Sequence, residues 1–175
     1  MRWLSFFILA YVMLGLQIGL GSSMQIHQAQ PNLLLLVAVF IAINAPRNTA
    51  LAACLLLGLL QDLLMPGKPL GLATFSYGVI GMLVINTQEV VYGDHFLTHF
   101  SLALLAGLVV AVIYGLHGAI YPLIHRSLKI WQRPPMGAMM GGALYTAVLA
   151  PIVIFILQRM RRAFGFRSSR GYTSR

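Results

Sequence analysis

The chain has 175 residues, of which 59% are hydrophobic and only 9% are charged, and its mean hydropathy is +0.83. A soluble domain needs far more polar side chains to cover its surface, so the composition excludes that class and indicates a protein of the lipid bilayer. Three acids stand against twelve Lys and Arg, and six of those twelve are arginines of residues 159–175. The positive charge is therefore local, which favours a cytoplasmic tail near anionic lipid over a nucleic-acid surface.

Six apolar segments follow one another along the chain. A helix that crosses about 30 Å of hydrocarbon needs roughly 20 residues. By that measure hydropathy predicts spans at residues 3–21, 32–45, 49–65, 70–86, 98–122 and 137–158. The second to fourth spans are short, so we expect compact helices shielded by their neighbours, or one re-entrant segment. The sequence thus predicts an all-α polytopic membrane helix bundle in residues 1–158, followed by a basic tail at 159–175.

Charge counting gives this bundle an orientation. The first segment is longer than the apolar core of about 7 to 15 residues in a signal peptide, which favours a retained helix. With six crossings, eight Lys and Arg lie on the side of the two termini, which predicts that both termini are cytoplasmic. The four on the other side are Lys68, Arg126, Lys129 and Arg133. The last three conflict with this orientation unless residues 123–133 form a short interfacial segment.

Small residues recur at every third or fourth position on one face of several predicted helices. Such rows allow the close backbone approach by which helices associate in lipid. The row of the third span is Ala50, Cys54 and Gly58, and that of the fourth span is Gly71, Thr74, Gly78 and Gly81. The row of the fifth span is Ala103, Gly107, Ala111, Gly115 and Ala119. GxxxG pairs occur at Gly15 and Gly19 and at Gly137 and Gly141. These rows serve either packing within the chain or the docking of a partner's helix.

Asp62 continues the row of the third span and places a carboxylate in an apolar run, near the end of its predicted helix. A charge in the bilayer is costly, and the carbonyl groups at a helix C-terminus make a negative charge less favourable still. These two penalties call for a compensating contact, for which the Lys68 ammonium and the N–H groups near Leu70 and Gly71 are within reach. Asp62 is therefore a cap that holds the turn at residues 66–69, or part of a site for a partner or ligand.

Motifs of catalysis and cofactor binding are missing from the sequence. Asp62 has no second acid nearby for general acid–base work, and the chain contains no phosphate-binding glycine loop, HExxH motif or nucleophile elbow. Cys54 is the one cysteine, so a disulfide within the chain is excluded. His95 and His99 beside Asp94 have the spacing of metal ligands, but this signal is weak, and we interpret them as ordinary polar residues at the membrane interface. We expect no enzymatic activity, no cofactor and no bound metal.

Three blocks of the sequence carry a resemblance to a known family. They are Pro31-Asn32-Leu33-Leu34-Leu35-Leu36, Gly58-Leu59-Leu60-Gln61-Asp62-Leu63-Leu64 and Leu70-Gly71-Leu72. Over residues 31–85 the chain resembles the rod shape-determining protein MreD family of bacterial inner-membrane proteins. Asn32 departs from the pattern, because family members often carry an acid at that position.

The resemblance implies a multi-pass subunit of the elongasome, which builds the lateral cell wall of rod-shaped bacteria. Its implied partner is MreC, through a transmembrane helix, in a complex with MreB, RodA and a class B penicillin-binding protein. The family is also similar in fold to the substrate-binding S components of energy-coupling-factor vitamin transporters. The candidate partner-binding or structural residues are Pro31, Asn32, Gly58, Asp62, Gly71, Gly78, Gly107 and Gly115.

Two functions remain open on the sequence. The first is a non-enzymatic scaffold whose helix face receives the membrane span of MreC. The alternative is an S component that binds a vitamin near the outer surface, where Gln17, Gln28, Asn32 and Gln61 would contribute hydrogen bonds. We expect no aromatic residues to cluster near these polar side chains, which favours the scaffold. An intramembrane enzyme or lipid flippase is the least favoured class.

Overall fold

A computed structural model describes residues 3–21, 23, 25, 28–64, 69–87, 96–124 and 135–160. Within these residues the chain forms six helices: α1 (Trp3–Gly21), α2 (Leu33–Asn44), α3 (Arg47–Leu64), α4 (Leu72–Thr87), α5 (Phe96–Ile124) and α6 (Met136–Arg159). Each helix begins and ends within two residues of the range that hydropathy predicts. The prediction of an all-α helix bundle is confirmed. Lys68, residues 125–133 of the predicted interfacial segment 123–133, and the tail beyond residue 160 lie outside the described residues.

The described helices have the length and composition of membrane helices. Three of them are long and apolar enough to cross a bilayer, namely Arg47–Leu64, Leu97–Tyr121 and Met136–Arg159, and the other three are shorter apolar helices. Large apolar side chains such as Leu4 and Phe155 are exposed on the outside of the bundle. A soluble protein rarely exposes apolar surface on this scale. The six crossings and the division at residue 158 stay predictions.

The short helix α2 is the centre of the bundle. It contacts all five other helices, and nine of its twelve residues are buried. A helix that is hydrophobic around its whole circumference belongs in an interior. At 1.5 Å per residue α2 is about 18 Å long, too short to cross about 30 Å of hydrocarbon unaided. Its five neighbours therefore supply the shielding that a short span requires.

Two helix pairs pack closely through the small residues that the sequence singles out. A Cβ on Gly58 of α3 would lie 2.6 Å from the Cα of Thr74 on α4. A Cβ on Gly107 of α5 would lie 2.8 Å from the Cβ of Ala143 on α6. Real side chains do not approach so closely, so both positions need glycine for packing within the chain.

Several polar side chains meet at one end of the bundle, which we call the polar end. It is formed by the C-terminal halves of α1, α3 and α5 and the N-terminal halves of α2, α4 and α6. Its polar residues are Gln17, Asn32, Gln61, Asp62, Tyr77, Tyr114 and Thr146. This end of the bundle holds the candidate functional site.

Candidate functional site: the polar end

Asp62 caps the start of α4 from the end of α3. Its Oδ2 accepts hydrogen bonds from the N–H of Gly71 at 3.0 Å, the N–H of Thr74 at 2.9 Å and the Thr74 hydroxyl at 2.8 Å. Its Oδ1 accepts from the N–H of Ala73 at 3.0 Å. The side chain is only 6% exposed. The prediction that Asp62 lies on a face packed against protein is therefore confirmed.

This cap completes the backbone hydrogen bonding at the start of α4. The first N–H groups of a helix have no partner within the helix and need one from elsewhere. Asp62 serves those of Gly71, Ala73 and Thr74, while the N–H of Leu72 donates to the carbonyl of Pro69 at 3.4 Å. Of the two N–H groups proposed from sequence, Gly71 makes the contact. A buried N–H group without a partner costs about as much as a lost hydrogen bond, so this buried helix start requires such a set of partners.

The electrostatics of the cap follow from its place between two helices. The N-terminus of α4 favours a negative charge, and the C-terminus of α3 disfavours one. A carboxylate offers about four acceptor positions, and Asp62 receives four donors. Three of these donors are on Oδ2 and one is on Oδ1, so most of the acceptor capacity is used within the chain, as the capping interpretation requires.

Two glycines make this cap possible. Gly58 lies one helical turn before Asp62, and its missing side chain lets the backbone of α4 approach α3. Gly71 has a φ of +93°, a conformation that residues with a Cβ rarely adopt. The Gly-x-x-x-Asp block and the following Leu-Gly therefore form one structural unit, in which glycine sets the distance and aspartate closes the helix end.

A second network joins α2, α3, α4 and α6 around the buried hydroxyl of Tyr77. This hydroxyl lies 2.9 Å from Oδ1 of Asn32 and also contacts the side-chain amide of Gln61. Asn32 is the N-cap of α2, because its Oδ1 also accepts from the N–H of Leu35 at 3.1 Å. The N–H of Asn32 donates to the Thr146 hydroxyl at 2.9 Å. The network therefore ties the central helix to three of its neighbours.

Proton accounting orients the amides of this network. A phenol has a single proton and can donate only one hydrogen bond. Because the N–H of Leu35 already requires an oxygen on that side of Asn32, the Tyr77 proton goes to Asn32. Turning the Gln61 amide, so that its NH₂ group faces the Tyr77 oxygen in place of the Oε1 that contacts it, gives each contact a proton. In that arrangement both contacts of the Tyr77 hydroxyl have a proton, and none of the three side chains needs a charge.

Gln17 adds a contact from the peripheral helix α1. Its Oε1 accepts from the N–H of Leu34, the second residue of α2, at 3.1 Å. The starts of α2 and α4, the two short inner helices, are thus both closed by side chains from other helices. Pro31 is buried directly before the Asn32 cap.

A cavity of about 320 Å³ opens beside the network, lined by residues of α2 to α6 together with Gln28 and Gln30. Tyr77 and Tyr114 both line it, next to Asn32 and Gln61. The expectation that aromatic residues do not cluster near these polar side chains is wrong. The prediction failed because Tyr77 and Tyr114 lie on different helices, and their proximity depends on how α4 and α5 are oriented about their axes relative to α2.

The remaining predicted residues fall into two groups. Gly78 packs within the chain, since a Cβ there would lie 2.9 Å from Cδ2 of Leu55. A Cβ on Gly71 or Gly115 would meet nothing within 4 Å. His99 is buried, and its Nε2 lies 3.1 Å from Nε2 of Gln158 on α6, whose amide donates to it. Asp94 and His95, proposed with His99 as a weak metal signal, lie outside the described residues.

Comparison with known proteins gives one match. The family model of the rod shape-determining protein MreD matches residues 1–160, which include all six helices, the Asp62 cap and the Tyr77 network. The chain belongs to the MreD family. No curated protein and no solved structure matches. Family membership gives the chain a role in rod shape determination and, with the apolar helices, identifies a membrane protein. The similarity in fold to S components stays a prediction.

Sequence reasoning missed two members of the network in this MreD-family chain. Tyr77 is a bulky residue on the face of α4 that otherwise carries small residues such as Thr74 and Gly78. This departure from the row was the signal by which the sequence could have indicated a role for Tyr77. Thr146 gives no comparable signal, because a threonine in a membrane helix commonly bonds its own backbone. It does so here, donating to the carbonyl of Gly142 at 2.7 Å while accepting from Asn32.

Proposed function

We propose that the chain is a non-enzymatic scaffold subunit of the bacterial elongasome, which binds MreC and supports lateral cell-wall synthesis and rod shape. Membership of the MreD family supports this proposal. The chemistry of the polar end supports it as well, because the Asp62 carboxylate receives four hydrogen bonds within the chain. A carboxylate held in this way ties the end of α3 to the start of α4 and so stabilises the bundle.

The observation that carries the proposed docking of MreC is an open row on α1. Tyr11, Gly15 and Gly19 share one face of the helix, and Tyr11 is 79% exposed. A Cβ on Gly15 or Gly19 would meet nothing within 4 Å, so no described part of the chain covers this face. Exposed glycines four residues apart let a second helix approach closely in lipid. The membrane span of MreC is the helix that we assign to this row.

We assign the protein to the inner membrane, with six crossings and both termini in the cytoplasm. This topology puts eight Lys and Arg inside and four outside, and it turns the polar end toward the outer surface. The arginines of residues 159–175 then attract anionic lipid headgroups, at about 1 kcal/mol for each charge near the surface. MreB, RodA and a class B penicillin-binding protein belong to the same assembly, and no nucleic acid takes part.

The test replaces the open glycines and measures copurification of MreC. Gly15→Leu and Gly19→Leu leave the chain's own packing intact, because their neighbourhoods are empty. Leucine at either position holds an approaching helix away, so we expect at least about a tenfold loss of MreC in a mild-detergent pull-down. Ala52→Leu is the matched control, since Ala52 is exposed on α3, away from the row.

Photo-crosslinking supplies an independent readout. A crosslinker at Tyr11 should capture MreC, and one at Leu105, which is 59% exposed on α5, should capture mainly lipid. Wild-type copurification of MreC with both glycine variants would contradict docking on α1. Failure of the wild-type chain to retain MreC at all would contradict the scaffold function.

The alternative of a vitamin-transporter subunit gains no support from the family match.

A further inference from the structure

The cavity at the polar end is large enough for a small ligand. Its volume of about 320 Å³ equals that of about ten water molecules at roughly 30 Å³ each, and ligand pockets begin near about 300 Å³. Small residues of α5 and α6 form one wall and leave the space open: Gly107, Ala111, Gly142 and Ala143. The cavity therefore accommodates about one six-membered ring with its substituents.

The polar groups around the cavity are all neutral. Among the described residues that line it none carries a formal charge, and the polar ones include the amides of Asn32 and Gln61, two phenols and the Thr146 hydroxyl. Asp62 is not among the lining residues, and its oxygens already receive four donors. A charged ligand would lose its hydration here without gaining a counter-charge. The site therefore selects against ionic ligands.

Two of the lining amides keep hydrogen-bonding capacity. Oδ1 of Asn32 accepts from Leu35 and Tyr77, whereas its Nδ2 donates to none of the described residues. Gln61 uses one of its two amide atoms on Tyr77, which leaves the other without a partner among the described residues. Polar groups left over inside a bilayer protein are costly unless water or a ligand meets them.

We propose that this cavity binds one neutral saccharide unit. Sugar hydroxyls both donate and accept, which matches the remaining capacity of Asn32 and Gln61, while apolar lining residues such as Val110 and Met139 provide surfaces for the apolar C–H groups. A free sugar and the headgroup of a glycolipid share this chemistry. The site is separate from the open row on α1 and does not depend on MreC.

The test uses the full chain in nanodiscs whose lipids carry no sugar. The probes are glucose, glucuronate and a monoglucosyl diacylglycerol, and the measurements are calorimetric binding and the shift in thermal unfolding. We expect saturable binding of glucose or of the glucolipid with a Kd below about 1 mM, and binding of glucuronate at least about tenfold weaker. Binding of the glucolipid alone identifies a membrane lipid as the source, and binding of glucose as well identifies a free sugar.

Variants separate cavity binding from unspecific effects. Ala111→Leu fills the cavity without removing a hydrogen bond and should weaken binding at least about tenfold. Ala138→Leu fills it from α6 and serves as a second variant should the first not fold. Ala52→Leu should bind like the wild type. The proposal is overturned by absence of saturable sugar binding, by equal binding of glucuronate, or by unchanged binding in the cavity-filling variants.

Discussion

The Asp62 cap makes a quantitative prediction about the contact between α3 and α4. Asp62→Asn keeps the size of the side chain but removes its charge and one acceptor. The single asparagine oxygen takes over the three donors now on Oδ2, and its NH₂ group then faces the N–H of Ala73. We expect the variant to insert into the membrane and to hold α4 less firmly.

The magnitude follows from the geometry. A buried N–H without an acceptor costs about 1 to 3 kcal/mol. Loss of the attraction between the carboxylate and the N-terminus of α4 costs about 1 kcal/mol more. The sum is about 2 to 4 kcal/mol, which corresponds to a roughly 30- to 1000-fold increase in the population with α3 and α4 apart.

The lone cysteine provides the assay. Cys54 is fully buried, and its Sγ lies 3.0 Å from where a Cβ on Gly81 would be, so α4 covers it. A membrane-permeant maleimide should therefore label Cys54 at a rate that follows the separation of α3 and α4, provided that reclosing is faster than labelling. Asp94→Asn is the control, because it makes the same chemical change at a residue that takes part in none of the four hydrogen bonds of the cap.

One result would refute this reasoning. If Asp62→Asn is labelled at the wild-type rate, the four hydrogen bonds do not control the contact of α4 with α3. Under the proposed function, the variant should also retain less MreC and support less cell elongation. Normal rods with increased labelling would leave the cap intact as a structural feature but dispensable for assembly.

Three further substitutions test the same architecture by thermal unfolding in lipid. Gly58→Ala should destabilise by about 1 to 3 kcal/mol, because its Cβ meets the backbone of α4, whereas Gly15→Ala should be neutral; equal effects would contradict the close approach. Gly71→Ala should cost about 1 to 2 kcal/mol through its positive φ, and a stabilised variant would show that this conformation is not needed. Tyr77→Phe should cost about 1 to 3 kcal/mol, since a buried amide loses its partner, and an unchanged midpoint would mean that water replaces the hydroxyl.

The helices and the capping role were accessible from sequence for a clear physical reason. Long apolar runs and short polar breaks determine where membrane helices begin and end. Asp62 carried two electrostatic penalties, which demanded donors near the next helix start, and Gly71 proved to be one of them. Local chemistry sufficed wherever the partners lie close together along the chain.

Contacts between distant helices were not accessible in the same way. In lipid the outer and inner faces of a helix are both apolar, so hydropathy does not reveal how each helix is rotated. The meeting of Tyr77 with Asn32, and of Tyr114 with the same cavity, depends on that rotation. The central position of α2 was equally hidden, because a uniformly apolar helix of twelve residues looks like any short span.

The placement of α2 bears on how the protein is made. Asn32 at its start donates to Thr146, 114 positions further along the chain, so a partner of the second helix is synthesised only with the sixth. Until α6 is synthesised, the nascent chain contains the short helix α2, and the Asn32 N–H at its start has no Thr146 hydroxyl to donate to. We therefore expect fragments that stop before α6 to be held by the insertion machinery or degraded, and the bundle to become stable only once α6 has been synthesised.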